Sequence, residues 1–191
     1  MIIRIAAAPL ALALTLALTG CAVGTPTPAD DDTACLTGQI WQLDVQDSAS
    51  QLAENLSSNG IEVLSSEGVG SHRMTFTADG LVSSDIDVTY TITAAMDAGL
   101  TLTMVQTHSG SNGGEWAWLE DSGVIGFSNW DAGDYQVQTQ TLINGTASPN
   151  SVTVPSETLD GTDMEVLACT ADTLSTHVTV SPFTQLWHPA R

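Results

Sequence analysis

The chain contains no lysine, and its only basic residues are Arg4, Arg73 and Arg191, set against 22 acids for a formal charge of −19. So few cations cannot form a patch that neutralises phosphates, which argues against DNA or RNA as a partner. The same shortage argues against electrostatic docking on anionic lipid. Metal chemistry has little to draw on either. Of the three cysteines none forms a CxxC pair, and His72, His108, His177 and His188 show neither HxH nor HExxH spacing, so no metal site and no cofactor are expected. Serine and threonine abound without GxSxG or SxxK. Carboxylate pairs such as Asp85 with Asp87, or Asp131 with Asp134, are what chance supplies among so many acids, so no catalytic residue is assigned and an enzyme is not expected. A chain of 191 residues suits one domain of ordinary size.

Long apolar runs are confined to the start. Met1 to Cys21 read MIIRIAAAPLALALTLALTGC, with Arg4 before a charge-free stretch from Ile5 to Leu18. That stretch is short for a membrane span and has the length of the apolar region of an export signal. Leu18-Thr19-Gly20-Cys21 resembles the lipobox of bacterial lipoproteins, where an apolar residue and two small ones precede the cysteine that receives diacylglycerol. The resemblance implies a signal peptide over residues 1–20, lipidation with palmitate-type chains at Cys21, and a protein anchored to a membrane from the extracytoplasmic side. Ordinary secretion with cleavage nearby is the alternative. Without the leader, 22 acids against Arg73 and Arg191 leave −20. Residues 21–34 carry Pro26, Pro28 and the run Asp30-Asp31-Asp32, which favour a solvated tether over a calcium loop.

With Cys21 lipidated, Cys35 and Cys169 remain, and export would place them where an even pair commonly bridges. Two buried thiols are the alternative.

From Leu36 onward the dominant signal is period two. Ile86, Val88, Tyr90 and Ile92 alternate with Asp87, Thr89 and Thr91; Leu100, Leu102 and Met104 alternate with Thr101 and Thr103. Met74-Thr75-Phe76, Trp116-Ala117-Trp118, Val152-Thr153-Val154 and Val178-Thr179-Val180 repeat the rule. Such alternation predicts antiparallel strands with one face buried. Turn signals separate them at Ala78-Asp79-Gly80, Asp97-Ala98-Gly99, the glycine-rich Ser109 to Gly114, Asp121-Ser122-Gly123, Asp131-Ala132-Gly133 and Asn144-Gly145. Between Asp47 and Gly60 the pattern changes: a capping aspartate, a stripe of Ala49, Leu52, Ala53 and Leu56, and Asn59-Gly60 as a stop predict one short helix. The fold expected for residues 35–191 is all-β: an antiparallel up-and-down barrel of 8–10 strands with a short N-terminal helix against the sheet or over one end. A two-sheet sandwich buries one face equally well and stays open.

Two stretches carry a second resemblance. Leu36-Thr37-Gly38-Gln39-Ile40-Trp41 resembles the first strand of lipocalin-like (calycin) barrels, although the spacing here is G-x-x-W rather than G-x-W. Ala168 to Leu174, followed by Trp187 and Arg191, is similar to the closing hairpin of small lipocalin-like lipoproteins of bacteria. The likeness implies a structural pair in which Arg191 lies across the indole of Trp41. It also implies a carrier of a small hydrophobic or amphiphilic ligand. Trp116 and Trp118 share a strand face and could wall a ligand cavity, with Tyr90, Met104 and Tyr135 opposite. The same indoles could instead fill the barrel. Arg73 alternates with Met74 and Phe76 and is expected at the surface. A rival function is an envelope structural or protein-interaction module with a filled barrel and no ligand.

Overall fold

The structure, a computed structural model, describes residues 33–119, 123–147, 152–154, 159, 161–179 and 181–191. The expected signal peptide, Cys21 with its lipobox, and the tether as far as residue 32 lie outside the described residues, as do Asp121, Ser122 and Val180.

Period two becomes strand in the other segments where it was read, but not in Val178-Thr179-Val180, where Val178 ends a strand and Thr179 lies in the turn after it. In β3 (Leu81–Ala95) every second residue from Val82 to Val88 is buried while Ser83, Asp85 and Asp87 face water. The other strands are β1 (Ile40–Leu43), β2 (Val63–Phe76), β4 (Thr101–Leu119), β5 (Val124–Asp131), β6 (Gln136–Ile143), β7 (Thr146–Ala147), β8 (Val152–Val154), β9 (Asp163–Cys169), β10 (Leu174–Val178) and β11 (Thr184–Pro189). All strand pairings are antiparallel. They run from β1 through β2, β3, β4, β5, β9, β10 and β11 and return to β1. Eight strands therefore form a barrel-like ring, and the sandwich alternative falls. The ring is thin at three places, each joined by three residue pairs: between β5 and β9 (Val124↔Glu165, Ile125↔Met164 and Gly126↔Asp163) and on both sides of the short β1.

Three details depart from the expected meander. First, β6, β7 and β8 leave the ring: β6 pairs with the early half of β4, and β7 and β8 pair with β6. Second, Ser109 to Gly114 is no turn but the middle of the 19-residue β4. Here β4 passes from partner β6 to partner β5, with a register shift between Gly113 and Glu115. A Cβ at Gly113 would meet the Val82 carbonyl, and one at Gly114 the Ser128 carbonyl. These glycines let neighbouring backbones close in, where a turn reading needed only local freedom. Third, the first strand opens at Ile40, not Leu36; Leu36 is buried in the turn before it.

The helix is present as α1 (Val45–Ser58), one turn earlier than read: Asp44 caps it by accepting from the Asp47 N–H at 2.9 Å, and Asn59 closes it. It sits across β2, β3 and β11. Gln51 fastens it to β11 twice, donating to the Thr184 carbonyl at 2.6 Å and accepting the Thr184 N–H at 3.0 Å. Gln46 accepts from the Gly68 N–H at 3.0 Å.

Cys35 and Cys169 form a disulfide across 134 residues of sequence, joining the segment before β1 to the end of β9. Next to it, one half of the ring is packed solid. Leu36, Trp41, Met74, Phe76, Val82, Trp116, Ile125, Phe127, Met164, Leu174 and Trp187 form the core there.

Candidate functional site

The other half of the ring is not filled. Two adjoining cavities of about 400 and about 290 Å³ share His72, Ile86, Gln106, His108, Tyr135 and Gln185 in their walls. The larger reaches Ser84, Asn112 and Trp130; the smaller reaches Tyr90, Phe183, and Ser48 and Leu52 of α1. The helix therefore covers this end of the ring.

The wall arises from polar residues on the inward phase of three strands. Register sets Tyr90 opposite Gln106, Val88 opposite His108 and Ser84 opposite Asn112. On β2, His72 shares the phase of buried Met74 and Phe76. Polar side chains on an inward face must find partners inside, and most of these do. Gln106 donates through Nε2 to the Thr139 hydroxyl at 3.5 Å and turns Oε1 towards His108 Nε2 at 3.0 Å. That oxygen accepts, so His108 carries its proton on Nε2, and its bare Nδ1 accepts the Tyr135 O–H at 2.7 Å. Tyr90 meets the His108 ring edge-on, with centroids 5.6 Å apart.

His72 shares a 2.7 Å hydrogen bond between Nε2 and the Ser84 hydroxyl, and its ring stands edge-on to Trp187 at 5.0 Å. The indole N–H of Trp187 donates to Thr176 Oγ1 at 3.0 Å, and that hydroxyl donates to Gln185 Oε1 at 3.3 Å. Asn112 is the exception: its Oδ1 is buried and has no hydrogen-bond partner.

Burial, and secondarily the neighbouring His108, push the His72 pKa down from 6.5 to about 4. Burial also lowers His108 and raises Tyr90, the latter partly offset by a hydrogen bond with Ser48. Both imidazoles are therefore neutral at pH 7.

No protein-family model, no curated protein and no solved structure matches this chain. The site has to be judged on its own chemistry. Among the described residues, no Asp, Glu, Lys or Arg lines either cavity. Among the described residues no three of His, Cys, Asp and Glu gather as a metal-binding group.

Of the residues named from sequence, Tyr135 lines both cavities and Tyr90 the smaller one. Trp116, Trp118 and Met104 line neither. Trp116 is buried in the packed half, donating to the Thr77 carbonyl at 3.1 Å and standing edge-on to Phe76, and Trp118 packs against the same core. Trp41 and Arg191 are not brought together. The indole of Trp41 is fully buried and donates to the Leu36 carbonyl at 3.1 Å, whereas Arg191 is exposed beside an outer crevice with Gln42, Asp44 and His188. Adjacent β-pairing puts Pro189, not an arginine, opposite Trp41. Arg73 is exposed.

Sequence reasoning passed over His72, Ser84, Gln106, His108 and Asn112. The signal was available: each falls on the apolar phase of an alternating strand, where a polar residue has to meet either another polar residue or a ligand.

Proposed function

We propose that this protein is a lipid-anchored extracytoplasmic lipoprotein whose lipocalin-like barrel binds, without turning over, a small hydrophobic or amphiphilic molecule. The observation that carries this is the pair of adjoining cavities of about 400 and 290 Å³, partly aromatic and partly polar, in a ring whose other half is tightly packed. Small-ligand sites have this size and this mixture of apolar wall with a few placed polar groups. Two further facts support the location. The Cys35–Cys169 disulfide is compatible with an oxidising compartment, and among the described residues no helix is long and apolar enough to cross a membrane. The lipid anchor rests on the Leu18-Thr19-Gly20-Cys21 box alone.

Native mass spectrometry of the purified protein, with a search for a co-purified small molecule, tests the binder. Titration of tryptophan fluorescence with fatty acids and isoprenoids is the second arm, since Trp130 lines the larger cavity. No adduct and no change in emission would remove the proposal. A rival, an envelope interaction module, draws on Ile61, Leu64, Met96, Leu100 and Ile143, which are exposed at one end of the long β2–β3–β4 sheet. An empty cavity with that apolar end covered by a partner would favour it.

A further inference from the structure

We propose that the ligand carries a hydrogen-bond acceptor, a carbonyl or ether oxygen, part-way along an apolar skeleton, and that the side-chain amide of Gln185 donates to that oxygen. This rests on the binder reading and narrows it to a ligand class.

Gln185 stands on β11 opposite Thr176, on the same inward phase as the fully buried Trp187. Its amide is not free to turn over. The Thr176 hydroxyl accepts the Trp187 indole N–H at 3.0 Å, so its own hydrogen is left to give, and it goes to Gln185 Oε1 at 3.3 Å. Thr176 and Trp187 are both fully buried, so this chain holds the amide oxygen against the wall and turns the NH₂ group away from it. Among the described residues Nε2 has no hydrogen-bond partner, yet it is not one of the polar atoms sealed from solvent. Because Gln185 lines both cavities, that nitrogen presents a fixed donor to whatever fills them. The neighbouring polar groups are engaged with one another: Gln106, His108 and Tyr135 bond in a row, and His72 bonds to Ser84.

Position sets the class. Gln185 belongs to both walls and so stands where the two cavities adjoin. On one side Met74, Val137 and Met164 give the larger cavity apolar surface, and on the other Leu43, Leu52 and Phe183 do so for the smaller. A ligand that fills both therefore has hydrocarbon at each end and its polar atom between. A carbonyl or ether oxygen meets this need, since it accepts without bringing a donor that would require a further partner. A polar group at the end of a chain reaches Gln185 only by leaving one lobe unfilled.

The test compares two isomers of equal hydrocarbon content, dipentyl ketone with its carbonyl at the centre and methyl nonyl ketone with its carbonyl near one end. The full chain is held in nanodiscs of ether-linked phosphatidylcholine, which lacks ester carbonyls, and empty nanodiscs measured alongside subtract partitioning. Calorimetry and tryptophan emission are expected to give dipentyl ketone roughly three- to tenfold the affinity of its isomer, the worth of one hydrogen bond. Its infrared carbonyl band is expected at lower wavenumber when bound than in hydrocarbon solvent. Gln185→Glu keeps an acceptor for Thr176 but removes both amide N–H donors, and should erase the preference. Equal affinities, or a carbonyl band unshifted on binding, would overturn the inference without any variant having to fold. A Gln185→Glu protein with native melting and an unchanged preference would overturn the assignment to Gln185. If neither ketone binds while fatty acids or isoprenoids do, this inference falls and the binder reading stands; if none of them binds, both fall.

Discussion

His72 has one hydroxyl as its hydrogen-bond partner and an indole edge beside it, so a proton added to its ring finds little to stabilise it. The folded protein holds this pKa at about 4 against 6.5 in an exposed histidine. The unfolded chain therefore binds the proton first as pH falls, and the stability gained from a neutral imidazole is whole above pH 6.5 and lost between about 6.5 and 4. That loss is at most roughly 3–4 kcal/mol for His72, and His108, also lowered by burial, adds in the same direction. Denaturant midpoints measured from neutral pH down to pH 4 should fall in the native protein and fall less in His72→Gln; parallel curves would refute this. Trp41 and Arg191 make a second residue-scale contrast. Trp41→Ala removes a fully buried indole and should cost about 3–5 kcal/mol. Arg191→Ala, at an exposed terminus, should stay within about 0.5 kcal/mol. Both changes together should add, because no contact couples them; a non-additive double mutant would restore a cation–π pair.

Among the elements, α1 depends on a close approach. A Cβ at Gly68 would run into the Val45 carbonyl at the helix start, so only glycine lets β2 and α1 lie this near. Gly68→Ala is expected to lift the helix, exposing the cavity end lined by Ser48 and Leu52 and destabilising the fold by roughly 1–3 kcal/mol. Gln51→Ala removes both bonds to Thr184 and should free the helix with less damage to the sheet. Hydrogen exchange would show helix amides opening faster in both variants while those of β3 keep their protection; uniform loss of protection would mean that the helix is not a separate cover. The helix itself was legible from its stripe of Ala49, Leu52, Ala53 and Leu56 and its Asn59-Gly60 stop. Its start was not, because Asp44 and Asp47 are both competent caps and only the placement of the Asp44 carboxylate on the Asp47 N–H selects between them. The central glycines of β4 were misread for a similar reason. Glycine permits a turn and permits crowding, and which one it serves depends on the strand that arrives beside it.

For the whole molecule, the bridge from Cys35 to Cys169 spans nearly the entire described chain. Closing a loop of 134 residues restricts the unfolded state by roughly 4–5 kcal/mol in the chain-entropy account. Reduction should lower the denaturant midpoint accordingly, with intact mass before and after reductant reporting the bridge. An unshifted midpoint would mean that the ring holds its ends without it.

What the order of residues determined by itself was the class of the fold. Alternating apolar and polar side chains must divide between core and water once the backbone is extended, and that division shows in Ile86, Val88 and Ile92 without reference to any other strand. The acidic balance was equally local to composition, whereas the choice between a Cys35–Cys169 bridge and two buried thiols was settled only by the fold. Tertiary structure alone decided which strands meet, and with that the site. Whether inward-facing His108 touches Tyr135, 27 residues away, or whether Asn112 finds a partner, depends on register between strands distant in sequence. Period two specifies the side of the sheet on which a residue lies; the neighbour it meets there is set only when the ring closes.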